Sequence, residues 1–290
     1  MENNYVIYTD ASADIDINFL KNNDVRFVPM HYTVGEEERI CSYIESDEKL
    51  KSFYDAQRAG KETRTSQITP NSYIEEFTPL LEQGISVLYI SLSSGLTKTF
   101  DSVCLAARQL GEDYTDAVVK PVDSLAATGG MGLLVEKAVE NKKKGMSLEE
   151  NAAWLDENKH NVTLWFMVDD LMYLKRGGRI PAASAVIGTA LNVKPILEVD
   201  GEGKLITLEK KRGARIALKE LSVKYRDRRN TSYGNRVYIV HGDDIEKADL
   251  LEKMILEINP DADITKMMLC PVIGSHTGSG MTAAIFWGER

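Results

Sequence analysis

Cysteine is scarce: Cys41, Cys104 and Cys270 are the three in 290 residues, far apart and with no CxxC pair. That number cannot close a disulfide framework, and it points to a reducing cytoplasm. Histidine is nearly as rare, and His31, His160, His241 and His276 show no HxxxH or HExxH spacing. A zinc site is therefore not expected, and no residue pattern calls for another metal or a cofactor. No apolar run approaches the roughly 18 residues that span a bilayer. The opening Met1-Glu2-Asn3-Asn4 leads straight into a strand-like run, without the basic and apolar regions of a leader. Broad positive charge is missing too: the net charge is −9. Nucleic acid and anionic membranes are excluded as principal partners, which leaves room for a local basic patch and transient membrane contact. Neither GxxxxGK[ST] nor GxSxG occurs, so the chain carries no phosphate-binding loop for ATP and no serine-hydrolase elbow.

What is present is an ordinary globular composition, 43% hydrophobic and 27% charged, in a chain long enough for one large or two modest domains. The organising stretch is Ser86 to Phe100. Val87, Leu88, Ile90 and Leu92 predict a short buried strand, and Leu96, Val103, Leu105, Ala106 and Leu110 follow at helical spacing. Between them Ser93, Ser94, Gly95 and Thr97 form a hydroxyl-rich turn. A strand that turns into a helix leaves unpaired N–H groups and a partial positive charge, which suit an anion. The same serines would equally serve as ordinary helix caps.

Along the rest of the chain, Tyr5 to Tyr8 predicts a first strand ending in Thr9-Asp10-Ala11-Ser12-Ala13-Asp14. Asp10 there reads either as a functional carboxylate or as a turn cap. Asp16 to Lys21 predicts a helix, Val25 to Pro29 a strand, and His31 to Ser46 an irregular polar stretch. Leu50, Phe53 and Tyr54 suggest a short helix. Thr69-Pro70 is a strong helix start behind the loop Thr65-Ser66-Gln67. Ala117 to Val122 predicts a strand ending in Asp123-Ser124, then a helix from Leu125 to about Asn141. Gly129, Gly130 and Gly132 in that helix imply close packing or ligand approach. Ser147 to Glu150 is a capping box. Strand–helix alternation over this half implies a parallel sheet.

Beyond Asn161 the pattern becomes mixed. Val162 to Val168 predicts a strand, Asp169 to Ile180 a short helix with a glycine loop, and Pro181 to Leu191 a small-residue helix. Asn192 to Val199 and Lys204 to Glu209 read as a hairpin about Asp200-Gly201-Glu202-Gly203. Arg215 to Arg226 and Ile245 to Ile258 predict helices; Arg236 to Val240, Asp263 to Leu269 and Thr282 to Trp287 predict strands. Cys270 to Gly280 reads as a glycine-rich loop. The fold class is thus α/β, with an N-terminal parallel-sheet domain over 1–160 and a C-terminal mixed-sheet domain over 161–290.

The motifs together resemble the DegV family of bacterial fatty-acid-binding proteins. They are Tyr8-Thr-Asp10-Ala-Ser12, Thr65-Ser-Gln67, Ser91-Leu-Ser-Ser-Gly-Leu-Thr97, Val122-Asp-Ser124, Leu174-Lys-Arg-Gly-Gly-Arg-Ile180, Val193-Lys-Pro-Ile196 and Pro271-Val-Ile-Gly-Ser-His-Thr-Gly278. Each is weak alone; together, in order, they span nearly the whole chain. The resemblance implies two α/β domains with a long-chain fatty acid such as palmitate between them, its tail in an apolar tunnel. Thr65, Thr97 and His276 are then expected to hold the carboxylate, with Ser93 and Ser94 beside them. The family usually has serine where Thr97 stands, and proline where Ile68 stands.

The chemistry is consistent with this. A buried carboxylate needs several charge-assisted donors, and a sixteen-carbon tail contributes on the order of 10 kcal/mol gross at about 0.8 kcal/mol per methylene. The resemblance further implies a carrier without catalytic residues, which presents its lipid to a separate ATP-dependent fatty acid kinase that forms an acyl phosphate. Lys175, Arg176 and Arg179, with Arg212 beside Lys211, would be the docking patch for that kinase, or simply a solvated face. The competing class is an acyl hydrolase or transferase using Ser93 or Ser94 with His276 and Asp10 or Asp123.

Overall fold

The computed structural model describes residues 4–42, 46–181 and 192–290; the expected helix after Pro181 lies outside them. The apolar runs of the first half form a parallel sheet. Strands β1 (Tyr5–Asp10), β2 (Val25–Val28), β6 (Ser86–Ser91) and β7 (Val119–Asp123) lie in the order β2-β1-β6-β7. The alternation seen in the sequence places α1 (Ile17–Asn22), α3 (Pro70–Leu81), α4 (Thr99–Asp113), α5 (Gly129–Lys143) and α6 (Leu148–Asn158) around it. Thr69 caps α3, accepting from Ser72 N–H at 3.2 Å with Pro70 at the first helical position, and Ser147 and Glu150 form the capping box of α6.

The second half builds a six-stranded sheet in the order β10-β9-β8-β13-β11-β12. Its strands are β8 (Val162–Met167), β9 (Val193–Val199), β10 (Leu205–Arg212), β11 (Arg236–His241), β12 (Asp263–Met268) and β13 (Thr282–Trp287). β11 and β12 are parallel and the other pairs antiparallel. Side-chain alternation divides its two faces. Trp165 and Met167 of β8 face a core shared with α8 (Ala214–Arg228) and α9 (Ile245–Ile258). Leu164 and Phe166 point the other way, into the core continuous with the first sheet. α5 lies between the sheets, touching β1 and β6 on one side and β8, β11 and β13 on the other. Its early glycines serve packing: a Cβ on Gly129 would stand 2.7 Å from that of Tyr238.

Two stretches differ from expectation. Of the stretch His31 to Ser46, expected to be irregular, residues 31–41 are not: β3 (Met30–Val34) and β4 (Glu37–Cys41) fold back on each other at Gly35, and β3 also pairs with β5 (Thr63–Thr65), giving a small antiparallel sheet in the order β4-β3-β5. Met30, Tyr32 and Val34 alternate inward, but the acidic run from Glu36 to Glu38 masks the pattern. Cys270 to Gly280 is not wholly a loop, since Pro271–Thr277 forms the helix α10 with Pro271 at its start. Its small residues carry no apolar period; contact with β3, β5 and α2 (Asp47–Arg58) holds it instead. Gln57 Nε2 donates to Gly274 O at 2.9 Å, and Tyr54 O–H to Leu269 O at 3.0 Å.

Candidate functional site

The carboxyl ends of β1, β6 and β7 lie along one edge of the parallel sheet, where open α/β folds place ligands. The loop after β6 is pinned from several sides. Leu92 N–H and Ser94 N–H donate to Asp10 Oδ2 and Asp123 Oδ1 at 3.0 and 3.1 Å. Helix α4 opens at Thr99, later than Leu96 suggests, and Thr97 Oγ1 accepts Thr99 N–H at 3.2 Å. Ser93 is fully buried, and its hydroxyl donates to Gly203 O at 2.8 Å in the turn between β9 and β10. That contact needs two glycines: a Cβ on Gly203 would lie 2.1 Å from Ser93 Oγ, and one on Gly95 2.6 Å from the Gly203 backbone. Ser93 thus joins the first sheet's loop to the second sheet's hairpin.

Against this loop lies a cavity of about 440 Å³, within the size range of small-molecule sites, roughly 300–1,000 Å³. Thr65, Ser66, Gln67, Ser94, Thr97 and His276 contribute polar groups to its lining. Leu92 and Ala127 from the first sheet's edge, Leu164, Phe166, Val199 and Leu205 from the second sheet, and Met281 supply apolar wall. Of the residues expected at a carboxylate, the structure brings Thr65, Thr97, Ser94 and His276 to this one cavity. Ser93 stands behind the loop and is not in the lining.

His276 sits near the end of α10, and its Nε2 meets Thr65 Oγ1 at 2.8 Å. Its Nδ1 is buried without a partner. A bare acceptor is cheaper to bury than an orphaned N–H, so the network assigns the proton to Nε2, donating to Thr65. The Thr65 hydroxyl hydrogen is then free to point into the cavity. Burial, with the positive charge of Arg179 nearby, lowers the His276 pKa to about 3, and the ring is neutral. Gly177, after α7 (Met172–Arg176), makes room for it: a Cβ there would lie 2.3 Å from Nδ1.

The basic residues divide. Lys175, Arg176 and Arg212 are exposed, with Arg176 stacked on Tyr173. Arg179 turns inward to line the cavity; its Nε donates to Leu96 O at 3.1 Å and its Nη1 to Gly177 O. Burial lowers its pKa, and among the described residues no carboxylate forms an ion pair with it. An unpaired, half-buried guanidinium facing a polar cavity end favours an anion there. The basic run in the sequence shows Arg179 without showing that it points inward. No group of three or more His, Cys, Asp or Glu able to hold a metal occurs among the described residues, and no helix there is long and apolar enough to cross a membrane.

The family model described as "Uncharacterised protein, DegV family" matches residues 4–289. The chain belongs to the DegV family. A DegV domain-containing protein of Clostridium perfringens is 38% identical over 285 residues, 98% of each chain. One from Lactococcus lactis is 36% identical, covering 97% of this chain and 96% of its own. Among solved structures, DegV of Bacillus subtilis, described as a fatty acid binding protein, aligns with TM-score 0.83 and 29% identity over 99% of both chains. A DegV family protein of Thermus thermophilus, described by its fatty acid binding, aligns with TM-score 0.85 and 28% identity, covering 99% of this chain and all of that one. The DegV fold and the mixed α/β architecture expected from the sequence are thus shown.

Proposed function

We propose that this DegV protein is a cytoplasmic carrier that binds a long-chain fatty acid of about palmitate length in the cavity between its sheets. The observation that carries this reading is the arrival of Thr65, Thr97 and His276, from three separate segments, at one cavity that also has an apolar wall. The carboxylate sits at their end with Ser94 nearby, the Thr65 hydroxyl donates to it, and Arg179 supplies the compensating charge. The tail runs between Leu92, Leu164, Phe166 and Val199, and burial of its methylenes supplies most of the affinity. Ser93 acts indirectly by fixing the loop that carries Ser94 and Thr97. The fatty acid binding described for the Bacillus subtilis and Thermus thermophilus relatives supports the same ligand class.

In this reading the lipid is presented to a separate ATP-dependent kinase, which phosphorylates the carboxylate to an acyl phosphate. The exposed Lys175, Arg176 and Arg212 are the docking side; Arg179 belongs to the cavity. The hydrolase reading fares worse on geometry. His276 Nε2 bonds Thr65, not a serine, and its Nδ1 has no carboxylate to orient it. Asp10 and Asp123 are occupied with backbone N–H groups.

Mass spectrometry of an organic extract of the purified protein should find free long-chain fatty acid. Thr65→Ala and His276→Ala should each weaken rebinding by about tenfold. Unchanged affinity in both variants, or release of acid from a palmitoyl ester by the protein alone, would overturn the assignment. Arg176→Ala should slow phosphate transfer by the kinase and spare lipid binding; loss of both together would remove the docking role.

A further inference from the structure

Asp10 ends the first strand and Asp14 follows it, and neither lines the cavity. Asp10 secures the loop after β6. Asp14, 5% exposed, accepts the Thr128 hydroxyl at 2.5 Å on one oxygen and Cys270 N–H at 2.9 Å on the other. These donors belong to different walls of the cavity. Thr128 lines it directly, just ahead of α5. Cys270 is the N-cap of α10, which carries Ile273, His276 and Thr277 to it.

Thr128 is also the wrong residue for its backbone. Gly130 N–H donates to Ala127 O at 2.9 Å, closing a tight turn in which Thr128 has φ 50° and ψ −134°. That is close to the first central position of a type II′ turn, where glycine is the usual residue. A β-branched residue held there costs on the order of 1–3 kcal/mol and persists only where its surroundings enforce it. What threonine provides and glycine lacks is the hydroxyl that bonds Asp14.

We propose that Asp14 is a positioning residue of this site: one carboxylate holds the Thr128 turn and the start of α10 in register, so the cavity wall and His276 are set by a group that does not touch the ligand. The part concerning lipid affinity rests on the fatty-acid reading above. Several ionisable groups face Asp14. The Asp10 carboxylate and the Tyr54 phenol act on it from within, together with the Cys270 thiol, which hydrogen-bonds that of Cys41. Asp47, His241, Asp243 and Lys266 line a second cavity of about 530 Å³ that Asp14 also borders. No cation forms an ion pair with Asp14 among the described residues. Burial raises its pKa to about 6 against the lowering effect of the Thr128 and Cys270 bonds. The two bonds thus only partly offset the cost of burying this carboxylate, which is why the chain holds it with donors from both walls.

The test uses the whole delipidated chain, with amide hydrogen exchange and titration with cis-parinaric acid as the two readouts. Asp14→Asn should speed exchange in residues 126–132 and 270–277 together, leave α9 unchanged, and weaken parinarate binding about tenfold. Thr128→Gly accepts the turn without the hydroxyl, so Asp14→Asn combined with Thr128→Gly should bind more tightly than Asp14→Asn alone. Faster exchange everywhere, or in one segment alone, would reduce Asp14 to ordinary stabilisation and overturn the proposal. So would a double variant no better than the single. If Asp14→Asn does not fold, Thr128→Val removes the hydroxyl and keeps the shape; wild-type exchange and affinity in it would be equally decisive. Should the wild type bind no parinarate, the fatty-acid reading fails, while the exchange of the two segments still decides the positioning role.

Discussion

His276 is where burial acts most directly on the chemistry of the site. Its folded pKa of about 3 lies below the ordinary 6.5. The unfolded chain therefore binds the proton more readily, and stability falls as pH drops from 6.5 toward 3. The full shift would correspond to about 5 kcal/mol as an upper bound. Asp14 works in the opposite sense: its pKa is raised from 3.8 to about 6, so its contribution is most favourable below 3.8 and is lost as pH rises through 6. The two partly cancel between pH 6 and 3.8. His276→Gln should remove the histidine's share and flatten the acid limb. Urea midpoints measured from about pH 7 to about pH 4 check this, and an equally steep limb in the variant would show that His276 is not the titrating group.

At the scale of elements, the site is made where chain segments approach more closely than side chains normally allow. Gly177 shows this cleanly. Its φ of −72° and ψ of −8° are helical, so alanine there meets no backbone penalty. The added Cβ would nevertheless stand 2.3 Å from His276 Nδ1. Gly177→Ala should therefore weaken fatty acid binding by about tenfold with little change in the urea midpoint, because the ring, not the helix, must move. Equal binding would mean that the ring can shift without cost. Such approaches explain what the sequence could and could not reveal. Strand–helix alternation, the Thr69-Pro70 start and the Asp200 to Gly203 hairpin are local signals, and each appears in the fold at its expected place. Helix α10 and the strands β3 and β4 were not legible, because tertiary contact with α2 and β5 stabilises them more than their own period does. The family resemblance points to Thr65, Thr97 and His276, and the structure gathers them at one cavity. That Arg179 turns inward, Ser93 stands behind the loop and Asp14 ties two walls together depends on contacts far apart in sequence.

Across the whole molecule the cavity lies at a junction. Residues 5–123 supply the parallel sheet and 162–287 the mixed one, yet α5 packs on both, and Tyr54 and Gln57 bond α10 and the segment before it. A ligand that touches Leu92 and Ala127 on one side and Phe166, Val199 and Leu205 on the other adds contact to both sheets at once. Binding to the native state alone stabilises by RT ln(1 + [L]/Kd), about 2.7 kcal/mol at a hundredfold excess over Kd. For a chain of this size that corresponds to a rise in Tm of roughly 5–10 °C. The form of the melting curve then tests the division into 1–160 and 161–290. If the halves share one cooperative core, delipidated protein should melt in a single step that moves as a whole when palmitate is added. Two resolved steps with a single one moving would mean that one domain holds the lipid by itself, and the placement of the tail between the sheets would have to be abandoned.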